Sequence, residues 1–229
     1  MLFWAIITPV VPISAYAFLK IALKAFPDSN GIHPAVYVAV GVTVWFWLRD
    51  LTFAAVSGLS RNKTMLSQST FPLIGVVFTS YGVVAFDTLV RVLATSAIIF
   101  FLGSFSFFGV FAGLALLLIA AVMAHGFALI LAVLWAGSPD TKNLVDLVFR
   151  YAFFVSNVLF ALPQKGWASW LYILNPYAIV VENTRLLILT GHPRSWSEIG
   201  AIGALALVSF VVGSRLFYLA QDRIRATLV

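Results

Sequence analysis

Six apolar blocks run through this chain, at about 2–26, 35–56, 73–102, 107–135, 144–162 and 199–220. Each is close to or beyond the ~20 residues that a helix needs to cross a hydrocarbon core of ~30 Å. The 229 residues are 62% hydrophobic and 10% charged, with a mean hydropathy of +1.03. A soluble domain of this size carries about 25% charged residues. The reading is therefore an all-α integral membrane protein, one transmembrane domain over residues 1–229 with six spans. The net charge of +6 sits in basic residues between apolar blocks, the placement of topology signals, so no nucleic-acid partner is expected. The chain has no cysteine, which excludes disulfides and thiolate metal sites. The N-terminus lacks the charged region and cleavage site of a signal peptide. Its abrupt apolar opening leads us to expect a further segment upstream.

Residues 159–185 fit no simple span. Pro163 and Pro176 each remove a backbone donor, and Gly166 weakens any helix between them. The pieces left, 165–174 and 176–189, are too short or too charged to cross alone, the second carrying Glu182 and Arg185. Two short re-entrant helices between the fifth and sixth spans reconcile these features. Backbone broken at membrane depth is tolerated only inside protein or along a water-filled path, so this stretch is expected to line or cap such a path.

The distribution of lysine and arginine orients the chain. One face collects Arg61, Lys63, Lys142, Arg150, Arg215, Arg223 and Arg225; the other has Lys24, Lys165, Arg185 and Arg194. The richer face is read as cytoplasmic, which puts both termini inside and the broken stretch outside.

Few residues in the apolar blocks carry chemistry. Arg49 and Asp50 in the second span, with Asp87 and Arg91 in the third, read as intramembrane ion pairs. Asp87 and Arg91 are spaced to pair with each other, Arg49 and Asp50 need other partners, and Trp45 stands one turn from Arg49 for a cation–π contact. A proton relay is the alternative use of these carboxylates. His125 reads as a packed, hydrogen-bonded histidine, and with no second histidine one turn away no metal site is expected. Most aromatic residues serve belts and packing. Trp4, Tyr16, Trp45, Trp47, Tyr151, Phe153 and Phe154 are candidates for the lining of a channel. Trp167, Trp170 and Tyr172 are candidates for an external gate, with Asn175, Pro176, Glu182 and Arg185 on the helix that follows. Arg61, Lys63, Asp140 and Lys142, with Asp146, make a polar cytoplasmic surface suited to docking a soluble partner, or ordinary positive-inside loops.

Several of these residues, taken in order, resemble a known family. Leu2, Trp4 and Pro9 open the first span; Trp45 precedes Phe71-Pro72 by 26 residues with Asn62 between; Asn175-Pro176 is followed by Glu182 and Arg185. This pattern resembles the membrane subunit of type-2 ABC exporters of lipid-linked polysaccharide, the bacterial O-antigen, capsule and teichoic acid exporters. Ser67-Gln68 and Leu73-Ile74 stand where many members have lysines and an acid, Asn157 replaces a common proline, and Pro139-Asp140 looks more like capsule-type members. The family's N-terminal amphipathic helix is absent. The resemblance implies a multi-pass protein of the bacterial inner membrane working as a homodimer with two copies of a cytoplasmic ATP-binding subunit. It extends the partners to a periplasmic co-polymerase and outer-membrane export proteins. With no GxxxxGK[ST] in this chain, ATP and Mg would belong to the partner, and no cofactor or catalytic residue is expected here. Within the class, a small-molecule substrate is the alternative. Outside it stand a proton-coupled secondary transporter, for which no inverted repeat is visible, and a membrane-embedded transferase, for which the loops offer no histidine and only scattered carboxylates.

Overall fold

In the computed structural model, which describes residues 31–67, 71–138, 140–161, 166 and 169–228 with positions 11, 14, 15 and 18, helix α1 (Pro34–Arg61) is the axis of a helical bundle. Pro34 starts it with a preset φ, and the His33 ring accepts a bond from the Ala35 amide at 3.3 Å. At its end the Asn62 amide side chain donates to the Gly58 carbonyl at 2.9 Å. A short helix α2 (Lys63–Ser67) follows. The bundle continues with α3 (Leu73–Leu102) and, after a four-residue link, α4 (Phe107–Gly137), capped by Ser106. Helix α8 (Trp196–Leu219) completes the long helices. These four are long enough and apolar enough to cross a membrane, and no strand occurs among the described residues.

The packing sets direction. Ile202 of α8 shares a core with Leu116 of α4, and Phe217 shares another with Ala132 and Ala136, so α4 and α8 run parallel. Their backbones meet at Gly126, where a Cβ would collide with the Ser209 carbonyl; small residues allow this approach where helices pack without a hydrophobic driving force between them. Helix α3 returns antiparallel beside α1. One end of the bundle therefore gathers Arg61, Lys63, Lys142, Arg223 and Arg225, and we call it the basic end. Here α9 (Gln221–Leu228) folds back on α2, and Arg225 donates to the Phe71 carbonyl at 2.8 Å.

The fifth block differs from the expectation of a continuous span over 144–162. Its helix, α5 (Asp140–Ala152), is 13 residues long, about 20 Å at 1.5 Å per residue. A 3-10 turn, Phe153–Val155, follows, and the chain then leaves helical geometry. Ser156 bonds back to the Ala152 carbonyl at 2.5 Å, and Asn157 takes φ +54°, a left-handed conformation that ends a helix. The broken stretch after it forms α6 (Ser169–Ile173), five residues inside the expected 165–174, and α7 (Pro176–Thr190), which matches the expected 176–189 to within one residue. Helix α7 is no surface element. Eleven of its fifteen residues are buried among α1, α4 and α8. The first expected span falls almost wholly outside the described residues, and Trp4, Tyr16, Lys165 and Trp167 lie outside them.

Candidate functional site

The site is built around the tip and shaft of α7. Asn175 precedes Pro176 and caps the helix, its Oδ1 accepting from the amides of Tyr177 and Ala178 at 3.1 and 3.2 Å. Its Nδ2 donates to the Val155 carbonyl at 3.3 Å and to Ser156 Oγ at 2.6 Å. One side chain thus caps α7 and holds the turn that ends α5. The tip lies deep: Tyr177 bonds Thr52 at 2.6 Å and packs on Trp45, Phe127 and Phe149. The other end of α7 meets the start of α4, where the Ser106 amide donates to the Ile188 carbonyl at 2.9 Å. Helix α7 therefore runs from the middle of the bundle to the end opposite the basic one.

Two turns up the shaft, Arg185 is fully buried and fully engaged. Nη1 donates to Glu182 Oε2 at 2.5 Å, Nη2 to the Asn157 carbonyl at 2.6 Å, and Nε to the Tyr37 carbonyl at 3.2 Å. Its guanidinium carbon lies 3.6 Å from the centre of the Tyr37 ring. Arginine suits this task because its planar fork directs donors to several acceptors at once. Unpaired, either charge would carry a large desolvation penalty; paired and bonded, both are tolerated.

A second polar cluster ties the hairpin to α8. Glu198 Oε2 accepts from the Tyr172 hydroxyl and from Asn183 Nδ2, each at 2.7 Å, and Oε1 lies 3.5 Å from Arg194. Arg194 also stacks 4.0 Å over the Tyr172 ring, and Asn183 Oδ1 accepts from its amide at 2.9 Å. Tyr172, expected as a gate aromatic, is buried with its hydroxyl committed; Trp170 beside it is exposed.

Between α1 and α5 lies a cavity of about 330 Å3 lined by Trp45, Phe46, Arg49, Phe149, Arg150, Phe153 and Phe154. Of the expected channel residues, Phe154 is exposed here, whereas Trp45 and Phe153 pack mainly in the core and show the cavity only an edge. Tyr151 is exposed and Trp47 half-buried, and neither lines this cavity.

The intramembrane ions pair differently from the expected pattern. Arg91 reaches across to Asp50 on α1 at 2.7 Å, not to Asp87 on its own helix. The cross-helix geometry wins because Asp87 lies on an exposed face of α3, where among the described residues it makes no ion pair. Arg49 pairs with Asp146 at 2.6 Å and stacks on Phe53 at 5.7 Å, in place of the expected Trp45 contact. Asp146, grouped with the docking surface from the sequence, also holds Arg150 of its own helix at 2.8 Å, and through Arg49 it joins α5 to α1. Asp50, Asp87, Arg91 and Arg61 line one polar cavity of about 230 Å3. Arg61, Lys63 and Asp140 are exposed at the basic end, and Lys142 is half-buried. His125 bonds the Tyr81 hydroxyl and stacks on Phe78. No group of three metal-ligating side chains occurs among the described residues.

Sequence reasoning missed Tyr37, Gly41, Asn183 and Glu198. Glu198 carried one signal, an acid in the first turn of a helix. The others carried none, since their roles depend on contacts distant in sequence.

No family model matches this chain. It is similar to two curated proteins, both described as polysialic acid transport protein KpsM of Escherichia coli. Each is 22% identical over 102 residues, 44% of this chain. The aligned region spans 40% of the length of those relatives. Among its described residues the chain is all-helical, with four helices of membrane-spanning length, and it is distantly similar to a polysialic acid transport protein.

Proposed function

We propose that this chain is the membrane subunit of an ABC exporter that moves a lipid-linked polysaccharide, of capsule or O-antigen type, across the bacterial inner membrane. The observation that carries the reading is the Asn175–Pro176 hairpin, whose Asn175 and Arg185 satisfy the carbonyls of an unwound fifth segment. Non-helical backbone at membrane depth belongs where protein surrounds it or a polar path runs past it. The distant similarity to a transport protein supports the same class.

On this reading the basic end is cytoplasmic, by the excess of lysine and arginine. The α6–α7 hairpin is a re-entrant pair entered from outside, and Trp170 guards its mouth. Two copies form the path, and the aromatic cavity beside α5 with Arg49 and Arg150 contacts the glycan. Arg61, Lys63, Asp140 and Lys142 receive two copies of a cytoplasmic ATP-binding subunit, which supplies ATP, Mg and the driving force. Closure of that partner pair on ATP rocks the two copies and opens the external side.

The test is co-expression with an ATP-binding subunit in cells lacking surface polysaccharide export. Restored export that needs both chains, with ATP hydrolysis only in the complex, supports the proposal. Export by this chain alone, abolished by a protonophore, would instead favour a proton-coupled transporter. Asp87, exposed and without an ion pair among the described residues, is the observation in favour of that second reading. Asp87→Asn would then stop transport, whereas for the exporter it leaves transport intact.

A further inference from the structure

The ion clusters along the bundle differ in their balance of charge. Asp50 faces Arg91 and Glu182 faces Arg185, one acid to one base. Asp146 is shared: its Oδ1 accepts from Arg49 at 2.6 Å and its Oδ2 from Arg150 at 2.8 Å. Two guanidiniums on one carboxylate leave one positive charge in excess. Arg49 lies about 18 Å along α1 from Arg61 and about 22 Å from Pro34, so the excess sits well away from both ends of that helix. An ionised group at such depth is costly unless a counter-charge or a polar path faces it.

No acid of the same copy is placed to supply that counter-charge. Of the eight acids in the sequence, Asp50 and Glu182 are paired as above, and Glu198 faces Arg194. Asp140 and Asp222 lie in the first turns of α5 and α9 at the basic end, and Asp87 lines the separate cavity between α1 and α3. The residues outside the described ones carry one acid, Asp28, six positions before Pro34. Six residues span about 20 Å at full extension, so Asp28 would have to run straight back along α1 to approach Arg49. Asp87 of a second copy is the protein alternative that remains.

The cavity itself points to a ligand. Both arginines line it, and Phe46, Phe149, Phe153 and Phe154 wall its about 330 Å3, more room than an aspartate side chain needs. Pyranose rings present apolar C–H faces that lie well on aromatic rings. The planar arginine fork matches a carboxylate or phosphate through two parallel hydrogen bonds. The two arginines are not equivalent. Arg49, with 31% of its side chain exposed, stacks on Phe53 and ties α1 to α5. Arg150, with 73% exposed, pairs within its own helix, so it can turn to a ligand without parting the two helices. Building on the reading of this cavity as the glycan contact, we infer that it selects sugar units bearing a carboxylate or a phosphate. Arg150 is the specificity-determining contact, and Arg49 anchors Asp146 behind it.

The test measures binding, not export, on the full chain in nanodiscs of zwitterionic lipid. The probes are a galacturonic acid tetramer and a galactose tetramer, which differ in their carboxylates. Galactose 6-phosphate and inorganic phosphate separate an anion carried on a sugar from a free one. The galacturonate tetramer should bind several-fold tighter than the galactose tetramer, and galactose 6-phosphate should displace it several-fold better than inorganic phosphate. Arg150→Gln should remove the preference and leave the neutral tetramer unaffected, Arg150→Lys should keep part of it, and Phe154→Ala should weaken both tetramers alike. Equal binding of the two tetramers, displacement by inorganic phosphate as strong as by the sugar phosphate, or a preference that survives Arg150→Gln overturns the inference and leaves the transport reading standing. Binding of neither tetramer removes this cavity as the glycan contact, and the inference with it. A photo-crosslinker on Arg150→Cys that captures α3 of a second copy or residues 1–30 in the unliganded protein would place protein in the cavity and overturn it as well.

Discussion

The guanidinium of Arg185 donates to the carbonyl of Asn157, 28 positions earlier, at 2.6 Å. That bond supplies a partner to backbone left over when the fifth segment stops being helical. The position is near Gly41, about 10 Å along α1 from Pro34 at 1.5 Å per residue, well inside the bundle. An arginine there serves two purposes, neutralising Glu182 and saturating two carbonyls. The motif Asn175-Pro176…Glu182…Arg185 therefore acts as a clamp on the unwound segment.

Arg185→Leu is expected to be more damaging than Glu182→Gln. The first strands the Glu182 carboxylate and removes the donor to the Asn157 carbonyl; the second leaves a side-chain carbonyl for Nη1. Breaking a buried pair costs about 3–5 kcal/mol. The double change should be no worse than Arg185→Leu alone. Membrane levels and thermal unfolding of the four proteins check this, and an additive double variant would mean that the two side chains are not coupled.

Gly41 and Arg185 contend for one space. A Cβ at position 41 would lie 2.6 Å from Arg185 Nη2 and 2.7 Å from the Val158 carbonyl. Gly41→Ala should destabilise by about 1–3 kcal/mol through overcrowding, although alanine is the better helix former. A melting temperature equal to or above that of the unaltered protein would show that the clamp yields freely.

Asn175 separates capping from clamping. Asn175→Asp keeps the acceptor for the amides of Tyr177 and Ala178 but loses the donor to Val155 and Ser156. Asn175→Ala loses both, and the cap alone is worth about 1 kcal/mol. If holding the unwound segment matters for transport, both variants should fail in export, while the Asn175→Asp variant melts higher than the Asn175→Ala variant. Normal export by Asn175→Asp would assign the residue to capping only.

Glu198 joins α6, α7 and α8 through one carboxylate. Tyr172→Phe removes one donor to it, and Glu198→Leu removes the junction. Each should raise the rate at which Trp170→Cys reacts with an impermeant thiol reagent, and Glu198→Leu more than Tyr172→Phe. Unchanged labelling in both would show that the hairpin holds its place without this cluster.

Much of the scaffold follows from the sequence alone. The blocks at 35–56, 73–102, 107–135 and 199–220 became α1, α3, α4 and α8 with ends moved by at most a few residues. Length and hydropathy suffice for this, because a helix that satisfies its own backbone needs no information from elsewhere. The break at Asn175-Pro176 was legible for the same reason, since proline acts on its own helix. Tertiary structure decided what reaches across. Arg91 faces Asp50 and not its neighbour Asp87, Arg49 faces Asp146, and Arg185 faces Tyr37 and Asn157. The fifth segment shows the limit most plainly. Its apolar run of span length unwinds after Ala152 because Asn175 and Arg185, brought in by α7, offer partners that an isolated helix in lipid would lack. Spacing along one helix names the pairs that are possible; packing between helices selects the pair that loses least solvation and gains the most hydrogen bonds.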